Sequence, residues 1–343
     1  NINMQRKVII IAEAGVNHNA DIDIAKKLID IAKESGADIV KFQTAVPELV
    51  MTNKAVKAIY QIDNTGNTHE SQLDMAKKIH LPLSSYKVLL DYSNSKGIKF
   101  LSTPFDHLSI DYLVNLGLDT FKIPSGEITN KPYLQSIGRL KKKVILSTGM
   151  STIEEIQSAL TILINEGTLK EDITVLHCNT DYPTRMKDVN LKAMLTIGET
   201  FGVKYGYSDH TLGIEVPIAA VAMGATIIEK HFTLDRKMDG PDHLASLEPT
   251  ELKEMVTAIR NIEEALGSSK KTPTKSEKKN LVIARRSIHI LNDLPKGHML
   301  TNKDLIMKRP GDGISPMNID LVLNKNLKID LKKDDKLLLK NLS

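Results

Sequence analysis

The sequence predicts an α/β fold in which a (β/α)8 barrel (a TIM barrel) is followed by a small second domain. Eight short apolar segments typical of buried strands alternate with helical patterns over about 265 residues, the number and size expected for such a barrel. A doubly wound sheet is the structural alternative, but its first turn is usually rich in glycine. Here that turn reads EAGVNHN (13–19), which is not a dinucleotide fingerprint, so we predict the barrel.

Each predicted strand begins with apolar or β-branched residues, and most strands end in polar ones. In chain order the strands span residues 8–15, 39–44, 98–104, 120–127, 144–149, 173–178, 203–210 and 226–233. Between them, apolar side chains recur at helical spacing, as at Ile24, Leu28 and Ile31. Ser151 followed by Glu154 predicts a capping box at the start of a later helix.

The composition changes after the predicted barrel. Residues 268–279 (SSKKTPTKSEKK) contain no apolar residue except Pro273, which is typical of a linker. Beyond them, short strand-like pieces are separated by turns, which indicates a small domain rich in loops. We therefore predict a catalytic barrel over 1–267, a linker over 268–281 and a second domain over 282–343.

Composition and charge exclude several classes of protein. The formal net charge of +4 does not by itself indicate binding to nucleic acid or to a membrane, and no apolar run approaches the roughly 18 residues that span a bilayer. We expect Met4 to be the native start, with no secretion signal after it. The single cysteine, Cys178, excludes an intrachain disulfide and a cysteine-rich metal cluster. These features favour a cytoplasmic protein.

Polar side chains lie at the carboxyl ends of all eight predicted strands, where the active site of this fold is built. Lys41 and Lys122, with Ser125, Ser147 and Ser208, could surround a dianion, because cations and hydroxyl donors suit the many acceptors of a phosphate. The alternative is that each lysine pairs with a nearby carboxylate and only supports the barrel.

Two histidines at the ends of adjacent strands are candidate metal ligands. His210 and His231 lie one strand–helix repeat apart, so both could hold a divalent ion that keeps positions open for water and substrate. Glu229 shares a strand face with His231 and could orient it or form a structural ion pair. Asp209 could be a carboxylate that supports a metal ligand or could cap a helix, and by itself the cap is more typical. Tyr182 could contact ligand or fill the barrel mouth.

Ten sequence strings carry a resemblance to a known family. They are IAEAGVNHN (11–19), VKFQT (40–44), LSTPFD (101–106), FKIPSGE (121–127), LSTGM (146–150), LHCNTDYPT (176–184), GYSDHT (206–211), IEKHFTLD (228–235), GPDHLAS (240–246) and KRPGDGISP (308–316). The chain resembles the bacterial sialic acid (N-acetylneuraminate) synthase family, which includes legionaminic and pseudaminic acid synthases. The resemblance covers essentially the whole chain and implies a barrel followed by an antifreeze-like (SAF-type) domain in a domain-swapped homodimer.

The resemblance also implies an activity and a set of site residues. The activity is condensation of phosphoenolpyruvate with N-acetylmannosamine, dependent on Mn²⁺ or another divalent cation such as Mg²⁺ or Co²⁺. His210 and His231 would bind the metal. Phosphoenolpyruvate would be surrounded by Lys41, Thr103, Lys122, Ser125, Ser147 and Ser208. The sugar or the reacting centre would be contacted by Glu13, Gln43, Glu127, Tyr182 and Asp242. Arg309 would reach into the partner's barrel and touch the N-acetyl group.

This resemblance implies a catalytic role for Glu13, Lys41 and Glu127. We expect Glu13 or Glu127 to stabilise a cation or to handle the proton of the attacking water, and we assign the second task to Glu127. Thr180 and Arg185 depart from the pattern of the family near the sugar pocket, which leaves the exact sugar open.

Three alternative functions are compatible with parts of the sequence. The nearest is the same reaction on a 2,4-diacetamido-6-deoxy hexose, as in legionaminic or, less favoured, pseudaminic acid synthases. A Schiff-base aldolase would use Lys41 or Lys122 without a metal. A non-enzymatic protein would bind an acidic partner through its lysine-rich linker and tail, but this leaves the polar strand ends unexplained. No nucleic acid or membrane partner is expected.

Overall fold

The computed structural model describes residues 7–343, so Met4 lies outside the described residues. The chain divides into two compact units, one ending at Gly267 and the other comprising Ser268–Ser343. No helix in the described part of the chain combines the length and the apolar character that crossing a membrane requires.

Eight parallel strands form the centre of the first unit. They are β1 (Ile9–Gly15), β2 (Ile39–Thr44), β3 (Lys99–Pro104), β4 (Thr120–Ile123), β5 (Lys143–Ser147), β6 (Ile173–His177), β7 (Lys204–Asp209) and β8 (Ile227–His231). Their order is β3-β2-β1-β8-β7-β6-β5-β4. The two outer strands, β3 and β4, are also neighbours, although no hydrogen-bonded ladder joins them within residues 7–343. The predicted (β/α)8 barrel is confirmed.

The strands are joined by helices that cover the outside of the barrel. The helices of the first unit are α1 (Ile22–Glu34), α2 (Pro47–Val50), α3 (Ile59–Thr65), α4 (Gln72–Ile79), α5 (Ser84–Lys96), α6 (His107–Asn115), α7 (Lys131–Arg139), α8 (Ile153–Asn165), α9 (Lys192–Phe201), α10 (Glu215–Ala222) and α11 (Pro249–Leu266). One continuous core joins strand residues such as Ile10 and Val40 to helix residues such as Leu28. Because both faces of each strand are covered, burial of this apolar area supplies most of the driving force for folding.

Two local predictions differ from the structure by a few residues. The capping box of α8 is formed by Thr152 and Glu155 rather than by Ser151 and Glu154, since the Thr152 hydroxyl accepts from the Glu155 amide and Glu155 accepts from the Thr152 amide. The fourth strand ends at Ile123 instead of residue 127, because Pro124 has no N–H for a ladder and Ser125–Glu127 form a turn of 3-10 helix.

The amino ends of the strands are tied by a separate ion pair. Asp38 precedes β2 and accepts from Arg260 of α11 (Nη2–Oδ2, 2.6 Å) and from the amide of Ile10 (2.8 Å). Arg260 also donates to the carbonyl of Val8 (2.8 Å). This pair lies at the end of the barrel away from the carboxyl ends of the strands.

The second unit consists of one helix and a small, loop-rich fold. Its regular elements are α12 (Lys275–Ala284) and the antiparallel strands β9 (Ser287–Ile290) and β10 (Leu305–Lys308). Its own core includes Ile288, Leu300 and Val322. The helix α12 begins at Lys275, inside the segment predicted as a linker over 268–281, and the sequence analysis did not predict it. Thr274 and Glu277 cap this helix reciprocally, a signal that the high charge of the segment concealed.

Candidate active site

Four charged side chains from four strands meet at the carboxyl end of the barrel. Lys41 Nζ lies 2.8 Å from Glu13 Oε2 and 3.7 Å from Glu229 Oε1, and Lys122 Nζ lies 3.3 Å from the same Glu229 oxygen. All four residues are at most 4% exposed. Parallel pairing produces this meeting, since Glu13 is in register with Lys41 on one side. We call these four residues the charged cluster.

Hydroxyl groups surround the charged cluster. Thr103 accepts a hydrogen bond from Lys41 Nζ (2.8 Å), and Ser208 donates to Glu229 Oε1 (3.3 Å). The buried hydroxyl of Ser147, at the end of β5, has no hydrogen-bond partner among the described residues. A buried donor without a partner costs free energy unless a ligand satisfies it, so this hydroxyl is available to a bound molecule.

Burial and pairing shift the pKa values within the charged cluster in opposite directions. Burial raises the pKa of Glu13 to about 7, although Lys41 partly offsets it. Burial also acts to raise the pKa of Glu229, but Lys122 and Lys41 outweigh it and hold that pKa at about 2. Burial lowers the pKa of Lys122. For Lys41, burial acts in the same direction, but Glu13 and Glu229 outweigh it and raise the pKa.

The two candidate metal ligands come together beside an aromatic ring. The ring centroids of His210 and His231 are 5.4 Å apart, and the Tyr182 ring stacks on His210 at 3.9 Å. Burial lowers the pKa of His210 to about 4 and that of His231 well below its usual value, so both rings are neutral, as metal ligands must be.

The hydrogen bonds of these rings fit a bound cation. His210 Nδ1 donates to the carbonyl of Asn179, which leaves Nε2 with the lone pair. His231 Nδ1 is buried and has no partner among residues 7–343. In that described part of the chain, no group of three or more His, Cys, Asp or Glu side chains is placed to hold an ion. An ion bound by these two imidazoles alone would therefore keep its other coordination positions open for water or substrate.

A second buried ion pair joins the residues that precede His210 and His231 in the sequence. Lys230 Nζ lies 2.6 Å from Asp209 Oδ2, and neither side chain has any exposed area (0%). Lys230 also donates to the carbonyl of Thr211, whose hydroxyl donates to Asp209 (2.8 Å). Asp209 is therefore a buried ion-pair partner rather than the helix cap that the sequence alone favours.

Ser125, directly after β4, is closely packed against the residues that follow β5 and β6. Its Oγ accepts from the amide of Gly149 (2.9 Å) and lies 3.2 Å from Cys178 Sγ. A Cβ at position 149 would lie 2.5 Å from Thr180 Cγ2, so only glycine fits here. Cys178 is buried, and burial raises its pKa, which keeps the thiol protonated.

The remaining predicted residues are distributed more widely. Gln43 Nε2 donates to Glu13 Oε1 (3.4 Å) and so joins the charged cluster. Asp242 is buried after β8, and burial raises its pKa to about 6. Glu127 is half-buried and accepts from Asn130 (2.7 Å). Arg309 is exposed in the second unit, where its Nε donates to the carbonyl of Ala284 (3.0 Å).

Sequence reasoning left the role of Glu229 open and assigned no role to Tyr60 or Asn64. Glu229 bridges both lysines, whereas the sequence left its role open between orienting His231 and forming an ion pair. Tyr60 and Asn64, on α3, contact the loop of Tyr182. The signals for these two residues were the string YQIDNTG (60–66), which resembles sialic acid synthases, and position in the long connection between β2 and α5, which is unusual for a barrel.

A barrel whose strand ends join two buried lysines, two carboxylates and two neutral histidines is typical of the active site of an enzyme. Comparison with protein families agrees: the model described as the NeuB family matches residues 28–271, and that of the SAF domain matches 285–343. The chain belongs to the NeuB family, so the predicted family and the antifreeze-like second domain are confirmed.

Named relatives and a solved structure support the assignment. The chain is 51% identical to the N,N'-diacetyllegionaminic acid synthase of Campylobacter jejuni, covering 96% of this chain and 98% of the relative. It is 46% identical to the enzyme of the same name from Legionella pneumophila, over 96% and 93%. The crystal structure of an N-acetylneuraminic acid synthetase from Leptospira borgpetersenii superposes with a TM-score of 0.69 at 35% identity, covering 80% of this chain and 90% of that one.

Proposed function

We propose that the protein condenses phosphoenolpyruvate with a 2,4-diacetamido-6-deoxy hexose to give N,N'-diacetyllegionaminic acid and phosphate. The charged cluster next to two neutral histidines is the observation that supports condensation of an anionic substrate. The similarity to two legionaminic acid synthases favours this acceptor over N-acetylmannosamine, the acceptor that the sequence strings alone favoured.

Phosphoenolpyruvate is expected at the charged cluster. Lys41 and Lys122 would face its carboxylate and phosphate, while Ser125, Ser147 and Ser208 with Thr103 supply hydroxyl groups. Both lysines already have carboxylate partners, so the ligand must compete with Glu13 and Glu229. The formal charge of the cluster is zero, and a divalent cation at His210 and His231 would make the region positive and favour a multiply charged anion.

His210 and His231 would hold Mn²⁺ or a similar divalent ion. Bound there, the ion would act as a Lewis acid toward a carbonyl oxygen. The protein supplies the other requirements: neutral imidazoles, a fixed His210 tautomer and the Tyr182 ring packed against it.

The acceptor sugar is expected on the side of the histidines, in contact with Gln43, Tyr182 and Asp242. Arg309 of a second copy would complete this subsite, so we propose a homodimer in which the SAF unit acts in trans. Holding both substrates together at the carboxyl end of the barrel would account for much of the rate gain over the reaction in solution, because the condensation becomes effectively intramolecular.

The proposed reaction conserves all atoms. Carbon 3 of phosphoenolpyruvate forms a bond to the aldehyde carbon of the open-chain sugar, whose oxygen takes up a proton. Water adds to the cationic carbon 2, and the C–O bond to phosphate breaks. Glu13, a member of the charged cluster, is assigned to stabilise the cation, and Glu127 is assigned to take the proton of water. A Glu127→Gln protein with full turnover would remove that assignment.

The product mass tests this function directly. The purified protein is incubated with phosphoenolpyruvate, Mn²⁺ and either the 2,4-diacetamido-6-deoxy hexose or N-acetylmannosamine. We expect the first sugar to give the higher kcat/KM and, in ¹⁸O water, one label in the product and none in the released phosphate. A higher kcat/KM with N-acetylmannosamine would instead establish an N-acetylneuraminate synthase. Full activity in excess chelator would refute the metal requirement.

A further inference from the structure

Helix α3 connects two loops that belong to different parts of the barrel. Asn64 Nδ2 donates to the carbonyl of Pro241 (2.7 Å) and to the carbonyl of Tyr182 (3.2 Å). The first carbonyl belongs to the loop after β8 and the second to the loop after β6. Tyr182 itself, and Asp242 directly after Pro241, are the side chains assigned to the acceptor sugar, so one amide ties together the backbones that present them.

Tyr60 of the same helix continues this contact through its ring. The Tyr60 ring stacks on Tyr182 with centroids 4.9 Å apart, and Tyr182 in turn stacks on His210. Aromatic rings in offset stacks stabilise one another and restrict ring rotation.

Helix α3 is itself firmly anchored. Lys57 is buried just before the helix, and its Nζ donates to Thr65 Oγ1 (3.0 Å) and to Glu70 Oε2 (3.2 Å). Thr65 donates in turn to the carbonyl of Gln61 (2.6 Å), and Gly66 ends the helix in the left-handed conformation (φ 64°). The Asn64 amide therefore extends from a fixed support rather than from a free loop.

The chemistry at position 64 is specific for an amide donor. The NH2 group of asparagine has two hydrogens, and here each faces a backbone carbonyl. An aspartate of nearly the same shape would place an acceptor against two acceptors. Neither contact touches Lys41 or Lys122, so the expected phosphoenolpyruvate site is independent of this amide.

We propose that Asn64 is a positioning residue that sets the acceptor-sugar subsite by fixing the loops of Tyr182 and Asp242. This inference rests on the proposed function for the identity of the ligand, but the positioning itself is a property of the two loops. Asn64 acts through these loops and is not assigned to the reacting atoms.

Steady-state kinetics of Asn64→Asp and Asn64→Ala test the proposal, with Asp63→Ala as the matched control. Asp63 is exposed on the same helix, and its replacement by alanine similarly favours the helix. Using whichever sugar the wild-type protein converts, we expect KM for the sugar to rise roughly tenfold or more in Asn64→Asp, because two hydrogen bonds are lost. KM for phosphoenolpyruvate should stay within about twofold in all three variants. Equal rises in both KM values, or none, would overturn the proposal.

Hydrogen exchange provides a readout that needs no sugar. In Asn64→Asp and Asn64→Ala, amides of residues 180–184 and 241–246 should exchange faster than in the wild type, while β1 and β2 and the whole Asp63→Ala protein stay unchanged. Wild-type exchange in both loops of Asn64→Ala would refute the inference. Failure of the wild-type protein to convert either sugar would refute the proposed function instead, while the exchange result still decides the role of Asn64.

Discussion

Replacement of Lys230 by methionine should be among the most destabilising single changes in the barrel. Lys230 and Asp209 are completely buried with their charged atoms 2.6 Å apart. Among residues 7–343, the variant leaves the Asp209 carboxylate without a paired cation and with hydrogen-bond donors only from Thr211. Removing one member of a buried ion pair costs about 3–5 kcal/mol, because the remaining charge is not solvated.

Two further variants separate the loss of a charge partner from a general loss of packing. The double variant Lys230→Met with Asp209→Asn removes both charges, so it should be more stable than Lys230→Met alone by about 1–3 kcal/mol. Arg260→Met breaks the Asp38 pair at the opposite end of the strands. Because Arg260 and Asp38 are partly exposed (22% and 29% of the side chain), we expect a loss of only about 1–2 kcal/mol.

Urea unfolding followed by far-ultraviolet circular dichroism measures these differences, since the chain has no tryptophan to report by fluorescence. The expected order of unfolding free energy is wild type, Arg260→Met, the double variant and then Lys230→Met. If Lys230→Met lost no more stability than Arg260→Met, or if the double variant were the least stable, the reasoning from an uncompensated buried charge would be wrong.

Three other perturbations test separate parts of the structure. Gly149→Ala should abolish most activity and weaken phosphoenolpyruvate binding, measured by calorimetry, at least tenfold. The added Cβ would lie 2.9 Å from Ser125 Oγ and would also collide with Thr180, so wild-type binding would show that these neighbours can move aside. Asp242→Asn should stabilise the fold above pH 6 by up to about 3 kcal/mol. Burial raises the pKa of Asp242 from 3.8 to about 6, so the neutral acid favours the fold at low pH and this stability is lost as pH rises through 6; urea unfolding at pH 5 and pH 8 should show the larger gain at pH 8, and equal gains would contradict the shift. The variants Arg309→Ala and Lys41→Met should each be inactive alone but recover about one quarter of wild-type turnover when mixed in equal amounts after mild dissociation, if Arg309 acts in trans. Random pairing makes about half of the dimers mixed, and each mixed dimer has one competent site of two. No recovery would argue against a shared site.

The barrel was predictable because its signal is repeated and local. Each strand is a short apolar segment that ends in polar residues, and eight repeats of such a pattern leave few alternative folds. Boundaries depend on single hydrogen bonds, so β4 ended earlier than predicted once Pro124 removed a donor. The α12 helix was missed because its capping residues, Thr274 and Glu277, lie in a segment whose charge resembles a linker.

The site was only partly predictable because its key property is pairing between distant residues. The sequence indicated which lysines and histidines lie at strand ends, and the structure brings Lys41, Lys122, His210 and His231 to the same end of the barrel. It could not show that Glu229 serves both lysines, since that contact joins residues 107 positions apart. The role of Asn64 depends on helix α3 meeting two loops that are distant in sequence, which no single sequence string predicts.

The pairing of Lys41 and Lys122 with internal carboxylates has a consequence for ligand selectivity. An anion that binds these lysines, as proposed above, would have to separate existing ion pairs before it gained its own contacts, because both lysines already have carboxylate partners. Chloride, with a single charge, cannot replace two carboxylates at once, whereas a molecule with carboxylate and phosphate groups at opposite ends can engage both lysines together. At the proposed site, the internal carboxylates would therefore discriminate against simple anions such as chloride.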